Sequence, residues 1–472
     1  MSGDQVIHVG SRKSELALIQ TRYVISLLQK ICPDKKFEIV TMNTLGDKIL
    51  DIPLPKIGEK SLFTKELESA LLTGRVDFVV HSLKDLPTSL PSGLAIGAVL
   101  KREDPRDVLV LQKDLKNYSL STLPKDSVIG TSSLRRTAQL AKKYPHLKVE
   151  NIRGNLNTRL KKLDDLGKYQ AIVLASAGLI RIGWKDRISE MLNSDDFLYA
   201  VGQGALAVEC RANDAQTIKL LEALYDLPTA IKVVSERSFL KTLGGGCSAP
   251  VAVSTNLKIV KEKQVEVSLK GAVWSLDGKD EIIDEAMSIL SILDDIKCAA
   301  CPYNNGTNGI SDIECCMNNV NSSMKEPPTK KIKRTVPNEV LENDPHEKCP
   351  LEIPIGSDFM GQCPYLQGET DAIHSQFSLS TDEEIRENAK KCPFLKHEAE
   401  ILNSNTIPTE ILNGNEDITT NLFAGLISHH NITVENLNKA KLLGETLAKK
   451  LIEKGALEIM NKAQAIIHSK QT

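Results

Sequence analysis

The chain is poor in aromatic residues, with 4% Phe, Trp and Tyr, and has almost no net charge: 59 Lys+Arg against 61 Asp+Glu in 472 residues. Near-neutrality removes any global attraction to nucleic acid, so an anion site has to be local. No apolar run approaches the ~20 residues that a membrane-spanning helix requires. The opening Met1-Ser2-Gly3-Asp4-Gln5-Val6-Ile7-His8-Val9-Gly10 lacks the apolar core of a secretion signal and leads directly into a strand. A cytoplasmic protein is expected, with its ten cysteines reduced rather than paired. Hydrophobic residues at 41% suffice to build cores, and the length implies about three domains.

Cysteine is also scarce where the chain looks most ordered. Cys32, Cys210 and Cys247 are the only ones in the first 290 residues, whereas 298, 301, 315, 316, 349, 363 and 392 crowd into one stretch. That stretch, about 291–420, holds Asn-rich runs, Pro327-Pro328 and the basic Lys330-Lys331-Ile332-Lys333-Arg334, with poor hydrophobic periodicity. It reads as a largely disordered insertion. Order is expected again near Leu422, and Val434–Ile467 reads as helical, with Leu437, Leu442, Leu443, Leu447, Leu451 and Ile452 at roughly helical spacing.

The first 235 residues alternate strand and helix. Val6–Val9 reads as a strand ending at Gly10, and Ser11-Arg12-Lys13-Ser14 as the opening of a helix. Val76–Val80 is a second strand, followed by the loop His81-Ser82-Leu83-Lys84-Asp85-Leu86-Pro87. Val128-Ile129-Gly130 repeats the first pattern, with Thr131-Ser132-Ser133-Leu134-Arg135-Arg136 opening the next helix. Ala171–Leu174 is a strand running into Ala175-Ser176-Ala177-Gly178. Two occurrences of strand, glycine, serine, arginine and helix predict two similar α/β domains facing each other, each offering a helix N-terminus.

A helix N-terminus with hydroxyls and arginines binds carboxylate or phosphate through charge-assisted bonds. Arg12, Arg135, Arg136, Arg153, Arg159 and Arg181 lie at or near such loops. Any one of them can be a solvated surface arginine, but their recurrence beside strand-end glycines points to a polyanionic small molecule. Gly58-Glu59-Lys60-Ser61 lacks the residue order of a phosphate-binding P-loop and is expected to be a mobile loop. Asp85 is either a solvated turn residue or, if it faces the arginines, the acid/base or cation-stabilising group. Cys247 follows Gly244-Gly245-Gly246, a run that lets backbone approach a ligand closely; its thiol is either inert in a tight turn or an accessible nucleophile.

Taken together, Gly10–Ala17, His81–Pro87, Gly130–Arg136, Arg153–Arg159, Gly202–Leu206, Gly244–Pro250 and Trp274–Gly278 closely resemble the porphobilinogen deaminase (hydroxymethylbilane synthase) family. The resemblance runs over about 1–290 and 421–472. It implies two periplasmic-binding-protein-like α/β domains, about 1–105 with 205–230 and about 106–204. A smaller α+β domain, about 236–290 with 421–472, would be split by the insertion. The implied activity condenses four porphobilinogen molecules head to tail and releases ammonia. The implied cofactor is dipyrromethane, held by Cys247 through a thioether as a reusable primer. Loss of ammonia would generate an electron-poor azafulvene, which the terminal pyrrole attacks. By the same resemblance Asp85 bonds the pyrrole N–H groups and stabilises the developing cation. Lys84, Ser132, Ser133, Arg135, Arg136 and Arg159 match positions that bind cofactor carboxylates. Arg12, Ser14, Arg153, Arg181 and Gln203 match positions around the substrate and growing chain. A monomer with no nucleic-acid or membrane partner is expected. The rival reading is a two-lobed, non-enzymatic binding protein for an anionic metabolite, which leaves the Cys247 loop without a role.

The insertion lies outside this resemblance. Five Cys-Pro dipeptides occur, against roughly 0.4 expected from composition. Those at Cys301, Cys349, Cys363 and Cys392 resemble haem-regulatory motifs, in which a thiolate ligates iron. Compositional drift, or zinc held by Cys298 and Cys301 with Cys315 or Cys316, are the alternatives. Cys32-Pro33 sits at a helix end and reads as structural. Lys330–Arg334 resembles a nuclear-import patch, but a solvated basic run is the favoured reading.

Overall fold

Near-continuous apolar segments such as Leu94–Val99, Asp107–Leu111 and Ala171–Ala175 bury both faces, which is the pattern of strands covered by helices on either side. The computed structural model describes residues 6–48, 63–244, 250–261, 264–291, 422–429 and 434–469. Cys247, the segment around Gly58 and the whole 292–421 stretch, with its Cys-Pro and basic motifs, lie outside the described residues.

The first lobe is a seven-stranded sheet, ordered β14-β15-β4-β10-β3-β1-β2. Its strands are β1 (Val6–Arg12), β2 (Lys36–Met42), β3 (Phe78–Ser82), β4 (Leu94–Val99), β10 (Leu206–Arg211), β14 (Leu422–Phe423) and β15 (Leu426–Ile427). The β1, β2 and β3 strands run parallel, and β10 inserts antiparallel between β3 and β4. Helices α1 (Glu15–Ile31), α2 (Leu45–Lys48) and α3 (Lys65–Leu72) belong to this lobe. The second lobe is a five-stranded sheet ordered β7-β6-β8-β5-β9. It comprises β5 (Asp107–Leu111), β6 (Val128–Gly130), β7 (Lys148–Glu150), β8 (Ala171–Ala175) and β9 (Glu190–Met191). Helices α4 (Leu134–Lys143), α5 (Leu156–Asp165) and α6 (Ser176–Ile182) follow its strands. The chain crosses between lobes twice, from β4 to β5 and from β9 back to β10. This is a two-lobed α/β architecture with its loops at the carboxyl ends of parallel strands, where such sheets bind ligands.

The third sheet is an antiparallel meander of β11 (Val251–Lys261), β12 (Gln264–Trp274) and β13 (Glu281–Ser291). After α7 (Ala215–Glu222), the helix α8 (Leu227–Thr242) leads toward this sheet. Asp226 caps α8 by accepting from the Thr229 N–H at 2.9 Å. Helices α9 (Val434–Glu453) and α10 (Ala456–Ser469) complete the chain. One apolar core joins Ile231, Val234 and Phe239 of α8 to Val267 and Leu269 of β12 and to Leu443 and Leu447 of α9. Gly444 permits the approach: a Cβ there would collide with the Ser235 carbonyl oxygen.

Several boundaries differ from the sequence expectation. The first strand does not end at Gly10: the parallel ladder with β2 continues through Arg12↔Met42, so Arg12 leaves the strand's last rung and the helix starts at Glu15. The second strand is displaced to Phe78–Ser82, because pairing with β10 extends through His81↔Ala207 and Ser82↔Leu206. Leu83–Asp85 then forms one 3-10 turn. The expected single helix over 434–467 is two helices, broken at Gly455 with φ +95°. Residues 422–427, grouped in sequence with the third domain, form a hairpin on the edge of the first sheet. There the Ile96 N–H donates to the Gly425 carbonyl at 2.8 Å.

Candidate active site

The carboxyl ends of β1 and β3 face those of β6 and β8 across a cavity of about 250 Å³. Each wall residue arrives by a local rule. Arg12 is the last residue of β1, and Ser14 is the extended N-cap of α1. Lys84 and Asp85 lie on the 3-10 turn after β3. Arg136 is in the first turn of α4. Arg153 and Arg159 flank the Asn155 N-cap of α5, and Arg181 is in the last turn of α6. All eight line the cavity.

Six cations, Arg12, Lys84, Arg136, Arg153, Arg159 and Arg181, line this space against two carboxylates, Glu15 and Asp85. Burial perturbs four of them, Lys84, Arg153, Arg159 and Arg181. Burial lowers Lys84 to about 8, opposed by Asp85 and reinforced by Arg136 and Arg135. Burial likewise brings Arg159 down to about 10, helped by Arg136 and Arg153. Desolvation also lowers Arg153 and Arg181. A cavity whose cations are short of counter-charge favours a multiply anionic ligand. The arginines are held in place by carbonyls: Arg159 Nε donates to Gly154 at 2.7 Å and Arg181 Nη2 to Gly204 at 2.7 Å. Arg12 lies over the Phe63 ring at 4.5 Å, a cation–π contact.

Four of the residues predicted for the site are absent from the cavity lining. Ser132 donates its hydroxyl to the Ile152 carbonyl. Ser133 is the N-cap of α4 and does not line the cavity. Arg135 is buried, with Nη1 donating to Asp107 at 2.7 Å and to the Leu198 carbonyl at 2.8 Å. Gln203 is fully buried, donating Nε2 to the Pro105 carbonyl at 2.6 Å and to Asp107 at 2.8 Å. Arg135 and Gln203 thus meet the wall from behind, through the Asp107 carboxylate that also holds Arg136. Cys247, the predicted anchor, lies outside the described residues.

Asp107 was not singled out from sequence. It is fully buried at the start of β5 and also accepts from Arg136 Nε at 3.1 Å and Nη2 at 2.8 Å. Despite its burial, the two guanidiniums hold its carboxyl far below the usual carboxylate range. Asp107 therefore fixes the arginine pair that α4 carries, and Arg136 reaches the cavity edge from it. A carboxylate opening the otherwise apolar run Asp107-Val108-Leu109-Val110-Leu111 was the available signal. Glu236 of α8 is a second such hub. It accepts from Arg102 at 2.7 and 3.0 Å, from the Gly202 N–H at 2.8 Å and from the Thr255 hydroxyl at 2.8 Å.

Residues 7–219 match the family model described as porphobilinogen deaminase, dipyromethane cofactor binding domain, and residues 230–300 match the porphobilinogen deaminase C-terminal domain. The porphobilinogen deaminase of Synechococcus elongatus is 53% identical over 279 residues, 59% of this chain and 85% of that protein. Its counterpart from Gloeobacter violaceus is 53% identical over 277 residues, 58% of this chain and 83% of that protein. Among solved structures, the substrate-binding protein of an amino acid ABC transporter aligns at 16% identity. It covers 51% of this chain and 95% of that one, with a TM-score of 0.27. Among the described residues no helix is long and apolar enough to cross a membrane.

Proposed function

Because the chain belongs to the porphobilinogen deaminase family, we propose that its arginine-lined cavity condenses four porphobilinogen molecules head to tail into hydroxymethylbilane, releasing one ammonia at each step. The observation that carries this reading is the joining of six cations and Asp85 around one cavity. Porphobilinogen and dipyrromethane carry acetate and propionate arms on flat pyrrole rings, so the donor set fits their carboxylates without any phosphate chemistry. Dipyrromethane, when bound through Cys247, supplies a primer whose free terminal α-carbon is the nucleophile.

The chain's own residues then divide the work. Arg136, Arg159 and Lys84 hold carboxylates of the primer, and bound anions favour the charged form of Lys84. Arg12, Ser14, Arg153 and Arg181 orient the incoming pyrrole. Asp107 and Gln203 keep Arg135 and Arg136 in one orientation, so the wall is organised before any ligand arrives. Asp85 accepts hydrogen bonds from pyrrole N–H groups and stabilises positive charge as ammonia departs. It also receives the proton that must leave the attacking α-carbon. The binding-protein alternative assigns no task to Asp85 or to the Cys247 loop.

Intact mass of the purified protein tests the reading directly. The expected result is one dipyrromethane adduct on the native chain and none on Cys247→Ser; an adduct on Cys210 would overturn the anchor. Asp85→Asn should retain the adduct and lose at least about 100-fold in kcat, the scale of a missing acid–base group. Near-normal turnover in that variant would remove Asp85 from the mechanism. For the Cys-Pro motifs, haem titration should give a Soret shift that is lost when Cys349, Cys363 and Cys392 are replaced together. An unchanged spectrum ends the haem reading.

A further inference from the structure

Beneath the Asp85 turn, on the face of the first sheet that α3 covers, lies a buried acid–base pair the mechanism above does not use. His81 Nε2 and Glu209 Oε2 are 3.0 Å apart, with His81 5% exposed and Glu209 fully buried. The second oxygen of Glu209, Oε1, has no hydrogen-bond partner among the described residues. A buried carboxylate with one oxygen unsatisfied is costly unless a proton is shared with it. The next carboxyl group, Glu68 of α3, is raised above its ordinary range, first by burial and further by Glu209 and Glu66, while Thr64 and His81 pull it down.

The pair is connected to the reaction site. A small cavity of about 60 Å³ is lined by His81, Thr64, Ser82, Gln20, Arg12 and Asp85. At roughly 15 Å³ per molecule, that is room for a few waters, and its walls supply the polar partners that such waters need. Gln20 Nε2 donates to the Ser82 hydroxyl at 3.0 Å, which adds a hydrogen-bonding link along the wall. The charged groups that face His81 are Glu209 from β10, Glu68 from α3, and Arg12 and Asp85 across the small cavity. Arg211, farther along β10, is committed to the Leu71 and Val76 carbonyls at 3.0 and 2.8 Å and to Asp214 at 2.6 Å.

Each condensation moves one proton over a short distance. The carbon–nitrogen bond of the aminomethyl group breaks and its electron pair leaves on ammonia. The pair on the attacking α-carbon forms the new carbon–carbon bond. The hydrogen on that carbon then leaves as a proton and ends on the ammonia as ammonium, so nothing is oxidised or reduced. Between release and capture the proton needs a holder that is not Asp85 itself, because Asp85 must be ionised again before the next positive charge develops. We propose that the buried His81–Glu209 pair is a proton store acting through Asp85 and the polar cavity between them. His81 and Glu209 are thus positioning residues for the proton. The inference rests on the acid–base role of Asp85 proposed above.

Glu209→Gln keeps the shape and removes the charge. The expected result is a kcat about 10- to 100-fold lower, an unchanged KM for porphobilinogen and an intact dipyrromethane mass. The kcat–pH profile should lose one of its ionisations, and an added small acid such as imidazole should restore part of the rate. A normal kcat, or a reduced kcat with the native profile and no rescue, overturns the proposal. His81→Gln, which can still donate to Glu209, serves in the same assay if Glu209→Gln does not fold. A readout independent of turnover is infrared titration of the cofactor-bearing protein. One buried carboxyl band of the native protein should be missing in Glu209→Gln while that of Glu68 remains, and an unchanged carboxyl region overturns the store. Asp85→Asn separates the two readings: normal turnover there refutes the role of Asp85, whereas a normal Glu209→Gln beside an inactive Asp85→Asn refutes only the store.

Discussion

Replacing Asp107 by Asn probes how the cationic wall is held. The carboxylate accepts four donors, from Arg135, Arg136 twice and Gln203, at 2.7 to 3.1 Å. An amide of the same shape can accept with one atom only. Oδ1 can still serve Arg136 Nη2 and Gln203, but an NH2 group would face Arg135 Nη1 and Arg136 Nε, donor against donor. Two buried guanidiniums also lose their counter-charge. Breaking a buried pair in this way costs about 3–5 kcal/mol, which corresponds to roughly 6–20 °C in Tm at about 2–4 °C per kcal/mol. The pH dependence gives an internal check. The carboxyl of Asp107 is depressed in the folded state, so its contribution is fully present above the ordinary carboxylate value of about 3.9 and is lost as pH falls below it. Urea unfolding of native and Asp107→Asn proteins, followed by circular dichroism, should therefore show a stability gap that is constant from about pH 5 to 8 and narrows below about pH 4. A gap below about 1 kcal/mol at pH 7, or one indifferent to acid, would refute this account of the arginine pair.

Two further outcomes follow from the geometry. In the Cys247→Ser protein, which lacks its primer, Lys84 should acylate with a midpoint at about pH 8 rather than near the ~10.4 of exposed lysines. Peptide mapping after pulse labelling reads this, and a midpoint above 10 refutes the shift. Gly444→Ala should cost about 1–3 kcal/mol by overpacking against Ser235 and Phe239 of α8, and thermal unfolding with no loss of Tm would show that α9 can move aside freely.

The two-lobed plan was legible because the same strand, glycine, serine and arginine pattern recurs, and each copy ends at the same kind of loop. Arg12, Arg136, Arg153, Arg159 and Arg181 converge as that pattern suggested. Adjacent Arg135 and Arg136 did not behave alike. Consecutive helical residues point about 100° apart, so one can reach a cavity while its neighbour turns inward. The inward partner, Asp107, lies 28 residues away in sequence, on β5, and no local spacing reveals such a pair. The extension of β1 to Arg12 was similarly hidden, because the rung that holds it comes from Met42 on β2. Motif spacing likewise shows His81 as one more loop residue, when it is a strand residue facing a carboxylate 128 positions away.

Glu236 has a wider consequence for a chain-lengthening enzyme. Its one carboxylate touches Arg102 on the first interlobe crossing, Gly202 on the second and Thr255 on the third sheet. Any rotation of one lobe against the other pivots on the two crossings, so Glu236 sits on the axle. A turn of either lobe would therefore load three parts of the chain through one carboxylate, and the stiffness of both crossings is set by a residue that lies outside the reaction cavity.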